Sequence, residues 1–458
     1  MINCRIAIDI GASGGRHIAG WLEGDKLQLQ EIYRFENGPA EKDGQLVWDV
    51  DKLFSHIKSG LKEAKKQGFM PESIAIDTWA VDFVLLDARD RRIGEAVSYR
   101  DRRTEGMDAR LQKFISEKDL YARTGLQKQP FNTVYQLLAL KTQGVLESAD
   151  SLLMLPEYFA FLLTGVKMRE YTNASTTGLM DAKKRDWDFD LIDRIGLPRR
   201  LFAPLHQAGE TVGRLLPEIA GELGYDARVL LAPTHDTAAA VLAAPIEAGD
   251  AYLSSGTWSL LGLELPAPIL TESSRRFNMT NEGGVFGTVR YLKNIMGLWM
   301  LQQLRKEMCP QLSYGELARL AEASDAYPGR VDALDPVFLA PPSMKDAIAA
   351  KLTEKGIPLP QSTGEWISCV CHSLADCYAD TVRALEKLTG KSVNSLRIVG
   401  GGCQNDYLNR LTAKALGKKV TAGPVEATAI GNILSQMQLP GEEVRALVRR
   451  SFPFTEYE

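Results

Sequence analysis

The chain has 458 residues, 45% of them hydrophobic and 24% charged, with a net charge of −4 at pH 7. That length exceeds one comfortable core and predicts two domains of ordinary globular composition. The charge balance leaves no nucleic-acid footprint, no apolar run reaches the length of a membrane span, and the N-terminus carries no secretory signal, so a cytoplasmic protein without nucleic-acid or membrane partners is expected.

Cys4 to Ile10 reads as a strand, and His17 to Leu22 as the strand returning from it. Between them Asp9-Ile-Gly-Ala-Ser-Gly-Gly-Arg16 makes a Gly-rich turn. Backbone N–H groups can approach an anion closely there, and Asp9 stands where Mg²⁺ would want a carboxylate. A tight turn with a solvated Asp is the alternative. A third strand over KLQLQEIYRF, an amphipathic helix from Val50 to Gln67 and a strand over SIAIDTWAVDFVLL continue an α/β layered domain. Residues 105 to 165 look mainly helical, and a Thr/Asn/Ser-rich stretch follows at 171 to 177.

The pattern restarts near residue 229. VLLAPTHDTAAAVLAA reads strand, turn, helix, and AYLSSGTWSLLGLEL reads as a second hairpin echoing the first. Later, LRIVGGGCQNDYLNRLTAKAL gives a strand, a triple-Gly turn and a helix. The domain boundary is placed near residues 240 to 248, giving domains 1–242 and 243–458. The six cysteines are scattered, as suits reduced thiols. Cys369, Cys371 and Cys377 with His372 lie on one helical stretch whose cysteines face different sides, which favours a packed helix over a metal site.

Four features carry chemistry: Asp9 with its hairpin, Ser254 to Thr257 in the second hairpin, Gly400 to Gly402, and Thr234-His235-Asp236-Thr237. Opposed hairpins could hold a polyphosphate, and the triple-Gly turn could admit a flat ring or a phosphate at a helix N-terminus. Asp236 could take a proton from a sugar hydroxyl as a phosphoryl group arrives, or could simply cap the helix that follows. His235 beside it could bind substrate or pack. A Walker A loop is absent, since Gly390-Lys391-Ser392 is preceded by Leu385 where the motif needs Gly, and no dinucleotide fingerprint occupies the first turn.

Asp-x-Gly-x-x-x-x-Arg at 9–16, Tyr99-Arg-Asp-Arg-Arg-Thr104, Leu163-Thr-Gly165, Gly256-Thr257 and Gly400-Gly-Gly402 together resemble the FGGY carbohydrate kinases, of the actin, hexokinase and Hsp70 ATPase superfamily. Asp77-Thr-Trp-Ala-Val-Asp-Phe-Val-Leu-Leu86, Pro130-Phe-Asn-Thr133, Tyr171-Thr-Asn-Ala-Ser-Thr-Thr177, Ala251-Tyr-Leu-Ser-Ser-Gly-Thr-Trp-Ser259, Lys293-Asn-Ile-Met-Gly-Leu-Trp299 and Gly400-Gly-Gly-Cys-Gln-Asn405 are most similar to the members acting on the 6-deoxy ketose L-rhamnulose.

The resemblance implies two ribonuclease-H-like α/β domains of the actin/hexokinase type with an interdomain cleft, and transfer of phosphate from ATP to O1 of L-rhamnulose, with Mg²⁺. It implies that Ala12, Ser13, Gly14, Gly15, Arg16 and Thr257 contact ATP phosphates, with Gln302 and Gly401 also at the nucleotide. Asp236 would accept the proton, His235, Thr237 and Asn294 would bind the sugar, and Asp9 would sit near the metal. Two departures stand out. Ala80 replaces a usual Gly at the sugar and adds a methyl to the pocket wall, and Gly14 replaces a usual Ser. A kinase for another ketose, such as L-fuculose or L-xylulose, is the alternative within enzymes, and an actin- or Hsp70-like nucleotide switch the alternative outside that class. The oligomeric state, monomer or dimer, stays open.

Overall fold

Two identical tetrapeptides, Ile6-Ala7-Ile8-Asp9 and Ile74-Ala75-Ile76-Asp77, lie side by side at the centre of the first sheet. Strands buried on both faces need such unbroken apolar runs. The computed structural model describes residues 1–458. Six strands form this sheet: β1 (Ile2–Gly11), β2 (Gly14–Glu23), β3 (Lys26–Glu36), β4 (Phe69–Thr78), β5 (Thr211–Arg214) and β6 (Arg228–His235). Their spatial order is β5-β6-β4-β1-β2-β3. The first three make an antiparallel meander, β1, β4 and β6 run parallel, and β5 is antiparallel at the edge.

Helix α1 (Val50–Lys66) starts where the Asp49 carboxylate accepts a hydrogen bond from the Lys52 N–H. It buries Leu53, Ile57, Leu61 and Ala64, a single helical face, in one core with Ile6, Ile8, Ile74 and Ile76. Each such leucine or isoleucine contributes about 1.5–3 kcal/mol when fully buried. A second core, with Leu137, Leu138, Leu191 and Ile192, lies under the helical region that follows. The expected helical stretch is several short helices, Met107–Leu111, Glu117–Thr124, Thr133–Thr142 and Leu155–Thr164, with a strand at Ser151–Met154 before the last.

The run read as one strand over SIAIDTWAVDFVLL is broken. β4 ends at Thr78 and a new strand spans Phe83–Leu86. The cause is a tight turn in which the Asp82 N–H donates to the Ala80 carbonyl at 2.9 Å, with Val81 at φ +69°. A β-branched residue reaches that region only when its neighbours hold it there. Those neighbours are Thr133 Oγ1 and Gln136 Nε2, which donate to the Val81 carbonyl at 2.8 and 3.2 Å. The Asp82 carboxylate then accepts from Trp48 Nε1, Trp79 Nε1 and the Tyr99 N–H at 2.7, 2.9 and 3.0 Å.

After β6 the chain enters helix α2 (Asp236–Leu242) with no turn between them. Contacts divide the chain into two units. One comprises residues 1–243, 264–291 and 428–451, and the other residues 244–263, 292–427 and 452–458. In the second unit β7 (Ala251–Ser255), β8 (Ser259–Leu265), β9 (Leu396–Val399), β10 (Val420–Ala422) and β11 (Thr455–Tyr457) are ordered β8-β7-β9-β10-β11. The hairpin β7–β8 is antiparallel, β7, β9 and β10 are parallel, and β11 is antiparallel. The spatial order and strand directions repeat β2-β1-β4-β6-β5 of the first sheet, the arrangement expected of duplicated ribonuclease-H-like domains, although the edge strand β5 precedes β6 in the chain whereas β11 follows β10. The second unit also holds α3 (Trp299–Met308), the long α4 (Thr363–Thr389) and α5 (Asp406–Leu416). Cys369, Cys371 and Cys377 are buried along α4, and burial pushes their thiols up to about 11, 12 and 12. The chain rejoins the first unit through α6 (Ala427–Gln436).

Candidate active site

The register of the parallel strands gathers three carboxylates in the first unit. Asp9 on β1 is paired with Asp77 on β4, and Thr78 is paired with His235 at the end of β6, one residue before Asp236. All three acids therefore stand at the carboxyl ends of adjacent parallel strands, where α/β sheets commonly place ligands. Asp9 is 7% exposed and accepts from Arg16 Nε and Nη2, at 3.0 and 2.9 Å, both through Oδ2.

Asp77 was not among the residues singled out from the sequence. It is fully buried, its Oδ2 accepts from Asn432 Nδ2 at 2.6 Å, and its Oδ1 has no hydrogen-bond partner. Burial, then the charge of Asp9, pushes its carboxyl well above the usual range. Asn432 in turn accepts from Gln436 Nε2 at 2.9 Å, and Gln436 accepts from Ser73 Oγ at 2.6 Å, so α6 is stitched to β4 by side chains. The repeated Ile-Ala-Ile-Asp was the signal in the sequence that could have found Asp77.

Asp236 is the first residue of α2 and not its cap, which is His235. Its Oδ1 accepts from the Thr237 N–H at 2.5 Å and from Thr237 Oγ1 at 3.1 Å, so the carboxylate folds back on its neighbour and caps no later turn. The side chain keeps 31% of its surface exposed. Burial, then the nearby charge of Asp9, raises its pKa to about 7, against the lowering pull of the Thr237 bonds and of Arg290. A carboxylate poised there can both accept and release a proton near neutrality.

Two buried clusters hold this strand end. The Glu170 carboxylate accepts from the Thr234 N–H and Oγ1 at 3.1 and 2.8 Å, and from the Thr172 N–H and Oγ1 at 2.9 and 2.5 Å. Arg290, which is 0% exposed, donates from Nη2 to His235 Nδ1 at 3.0 Å and meets Glu282 Oε2 at 3.1 Å. His235 Nε2 lies 3.5 Å from Asp236 Oδ1. Burial, then the Arg290 charge, holds the His235 imidazole well below its ordinary value, so it is neutral. Nothing in the sequence pointed to Glu170, Arg290 or Glu282, because each meets the site only through the fold. Ala80, half-buried, opens the strained turn described above.

The first hairpin closes through Ala12 and Ser13, since Gly11 pairs with Gly14. Asn37 fastens it, its N–H donating to the Ser13 carbonyl at 3.2 Å and its Nδ2 to the Gly11 carbonyl at 2.9 Å. Gly15 is packed on Phe35, whose ring would lie 2.2 Å from a Cβ at that position.

In the second unit Thr257, Gln302 and the triple-Gly turn come together. The Gly256 and Thr257 carbonyls accept the Leu298 and Trp299 N–H groups at 3.2 and 3.0 Å, which fixes the start of α3 under the hairpin. Gln302, one turn on, places Oε1 3.4 Å from Thr257 Oγ1. Ser254 pairs with Val399, which brings the glycine turn beside the hairpin. A Cβ on Gly402 would strike Ser255 Oγ at 2.0 Å, whereas the Cβ direction of exposed Gly401 is open. Residues 401–404 form a short 3₁₀ turn, so the glycines do not open α5 directly as the sequence suggested. Asn294 is half-buried on the strand Val289–Ile295.

Comparison with known proteins matches two family models in succession: the N-terminal domain of the FGGY family of carbohydrate kinases over residues 4–243, and its C-terminal domain over residues 251–438. A rhamnulokinase of Halalkalibacterium halodurans is 46% identical, covering 100% of this chain and 99% of the relative. One from Bacillus subtilis is 41% identical, over 98% and 93%. Among solved structures, a xylulose kinase from Lactobacillus acidophilus superposes with a TM-score of 0.79 at 15% identity, covering 97% of this chain and 92% of that one. A Plasmodium falciparum glycerol kinase bound to ADP superposes with a TM-score of 0.75 at 14% identity, over 100% and 94%. With both domain models matched in order and relatives aligned from end to end, the chain belongs to the FGGY family of carbohydrate kinases.

Proposed function

We propose that the protein transfers the γ-phosphoryl group of ATP to O1 of L-rhamnulose. The observation that carries the mechanism is Asp236, a partly exposed carboxylate at a parallel strand end with a pKa of about 7. As general base it orients the sugar hydroxyl and takes its proton while the phosphoryl group moves in line. His235, Thr237, Asn294 and Ala80 bind the ketose. Ala12, Ser13, Gly14, Gly15 and Arg16 of the first hairpin, with Thr257, Gln302 and Gly401, hold the nucleotide. Backbone N–H groups of the hairpins and the Arg16 guanidinium take up charge on the phosphates. The donor set fits a magnesium ion, because Asp9 is a nearly buried carboxylate whose Arg16 bond uses one of its two oxygens. Mg²⁺ held by Asp9 would neutralise phosphate charge.

The full-length likeness to rhamnulokinases supports the choice of sugar. The test is ADP release with ATP·Mg²⁺ and each of L-rhamnulose, L-fuculose, L-xylulose and D-xylulose beside a no-sugar control. Release with L-rhamnulose alone is expected. Release with another ketose would move the substrate, and release without sugar would favour a nucleotide switch.

Ala80 gives a second test. Its methyl narrows the wall of the sugar pocket, and one methyl in an apolar pocket is worth roughly 10-fold or more in discrimination. Ala80→Gly is therefore expected to lower the kcat/KM ratio of L-rhamnulose over L-xylulose, which lacks the sixth carbon, by about tenfold. An unchanged ratio would remove Ala80 from the pocket wall.

A further inference from the structure

The proton on a neutral imidazole resides on one nitrogen, and the partner of the other decides which. For His235 that partner is Arg290. A guanidinium has only N–H donors and stays protonated, so a nitrogen it reaches must accept. Arg290 Nη2 lies 3.0 Å from His235 Nδ1. It cannot swing away, because its Nε donates to the Gly283 carbonyl at 2.8 Å and its Nη2 also meets Glu282 Oε2 at 3.1 Å. Glu282 Oε2 is itself 3.5 Å from Nδ1, too far to compete for a proton there. The charged groups facing the ring are thus Arg290 and Glu282 on one side and Asp236 on the other.

We propose that Arg290 is a positioning residue: by occupying Nδ1 of His235 it leaves the ring proton on Nε2, so that His235 meets the sugar as a hydrogen-bond donor beside Asp236, given the reading of Asp236 as proton acceptor and His235 as sugar ligand. The consequence is directional. A hydroxyl that accepts from Nε2–H keeps its own proton free to point at Asp236. With the other tautomer, Nε2 would be an acceptor and would compete with Asp236 for that proton. Glu282 balances the buried guanidinium, which would otherwise be costly to hold.

The sequence has five histidines, so ¹⁵N-histidine labelling of the full chain resolves the ring nitrogens, with His235 assigned by its loss in His235→Gln. In the ligand-free protein near pH 7, His235 is expected to show a proton-bearing Nε2 and a bare Nδ1. In Arg290→Met the two tautomers should mix, the sugar KM should rise about tenfold, as loss of one oriented hydrogen bond permits, and the ATP KM should stay unchanged. Arg290→Lys keeps a donor and should restore the tautomer. In the His235→Gln background, Arg290→Met should add no further change in sugar KM. A proton on Nδ1 in the parent protein overturns the proposal even if Arg290→Met fails to fold, and so does an Arg290→Met protein with unaltered tautomer and sugar KM. The spectrum needs no turnover, so it stands apart from the ADP assay: no release with any ketose would sink the kinase reading and leave the tautomer result intact.

Discussion

Asp236→Asn is expected to lower kcat by roughly 10²- to 10⁴-fold, the usual contribution of a positioned general base. An amide keeps the hydrogen bonds from Thr237 to Oδ1, so α2 and the strand end before it should persist. Nucleotide affinity, measured by titration calorimetry, should be retained. On the proposed role the active form is the carboxylate, whose pKa in the metal-free protein is about 7. The rate should therefore fall on the acid side of neutrality, with a midpoint at or below about 7 because Mg²⁺ on Asp9 would offset part of the Asp9 charge, and level off above it. Asp9 is the second-largest cause of that elevation, after burial. Asp9→Asn should shift the acid limb of any residual activity to lower pH. Stability should change in the opposite sense to activity. An unfolded Asp ionises near 3.9, so the folded protein binds this proton more tightly and loses stability as pH rises from about 4 to about 7. Asp236→Asn removes that penalty. Its melting temperature should exceed the parent's at pH 8, with the gap narrowing toward pH 5. A variant with near-normal kcat, or with a gap that widens at acid pH, would remove Asp236 from the role of base.

Gly431→Ala is expected to be the most damaging of the small substitutions. A Cβ at Gly431 would lie 1.8 Å from the Ala239 carbonyl oxygen and 2.6 Å from its carbon. Both atoms are backbone of α2, so no side-chain rotation relieves the overlap, and α6 and α2 must separate. Overpacking of a buried contact costs about 1–3 kcal/mol, and more where backbone must move. The lower urea midpoint should come with a loss of turnover larger than destabilisation alone explains. The reason is that α2 begins at Asp236, while α6 carries Asn432, which holds Asp77. A variant with the parent's urea midpoint and kcat would mean that the two helices are less tightly fixed than their packing indicates.

Much of the architecture is written in local patterns. Cys4 to Ile10, the Gly-rich turn and the return strand announce a hairpin because buried parallel and antiparallel strands need apolar runs and a two-residue loop needs small residues. The second hairpin and the strand before Gly400 are legible for the same reason, and Asp236 draws notice as an acid where an apolar strand meets an Ala-rich helix. The break at Trp79 to Asp82 was not legible. Val81 adopts φ +69° only because Thr133 and Gln136, some fifty residues away, fix its carbonyl. The sequence by itself thus determined the two Gly-turn hairpins, that the plan repeats, and that an acid stands where an apolar strand meets an Ala-rich helix. Only the tertiary structure decided that Asp77 lies in register with Asp9 and that Asp236 is raised to about 7 by burial and that neighbouring charge. It also decided that Arg290, reached through a distant strand, dictates what His235 can donate. The physical reason is that periodicity and turn chemistry act over a few residues, whereas pKa values and tautomers depend on charges and donors that folding brings within a few ångströms from anywhere in the chain.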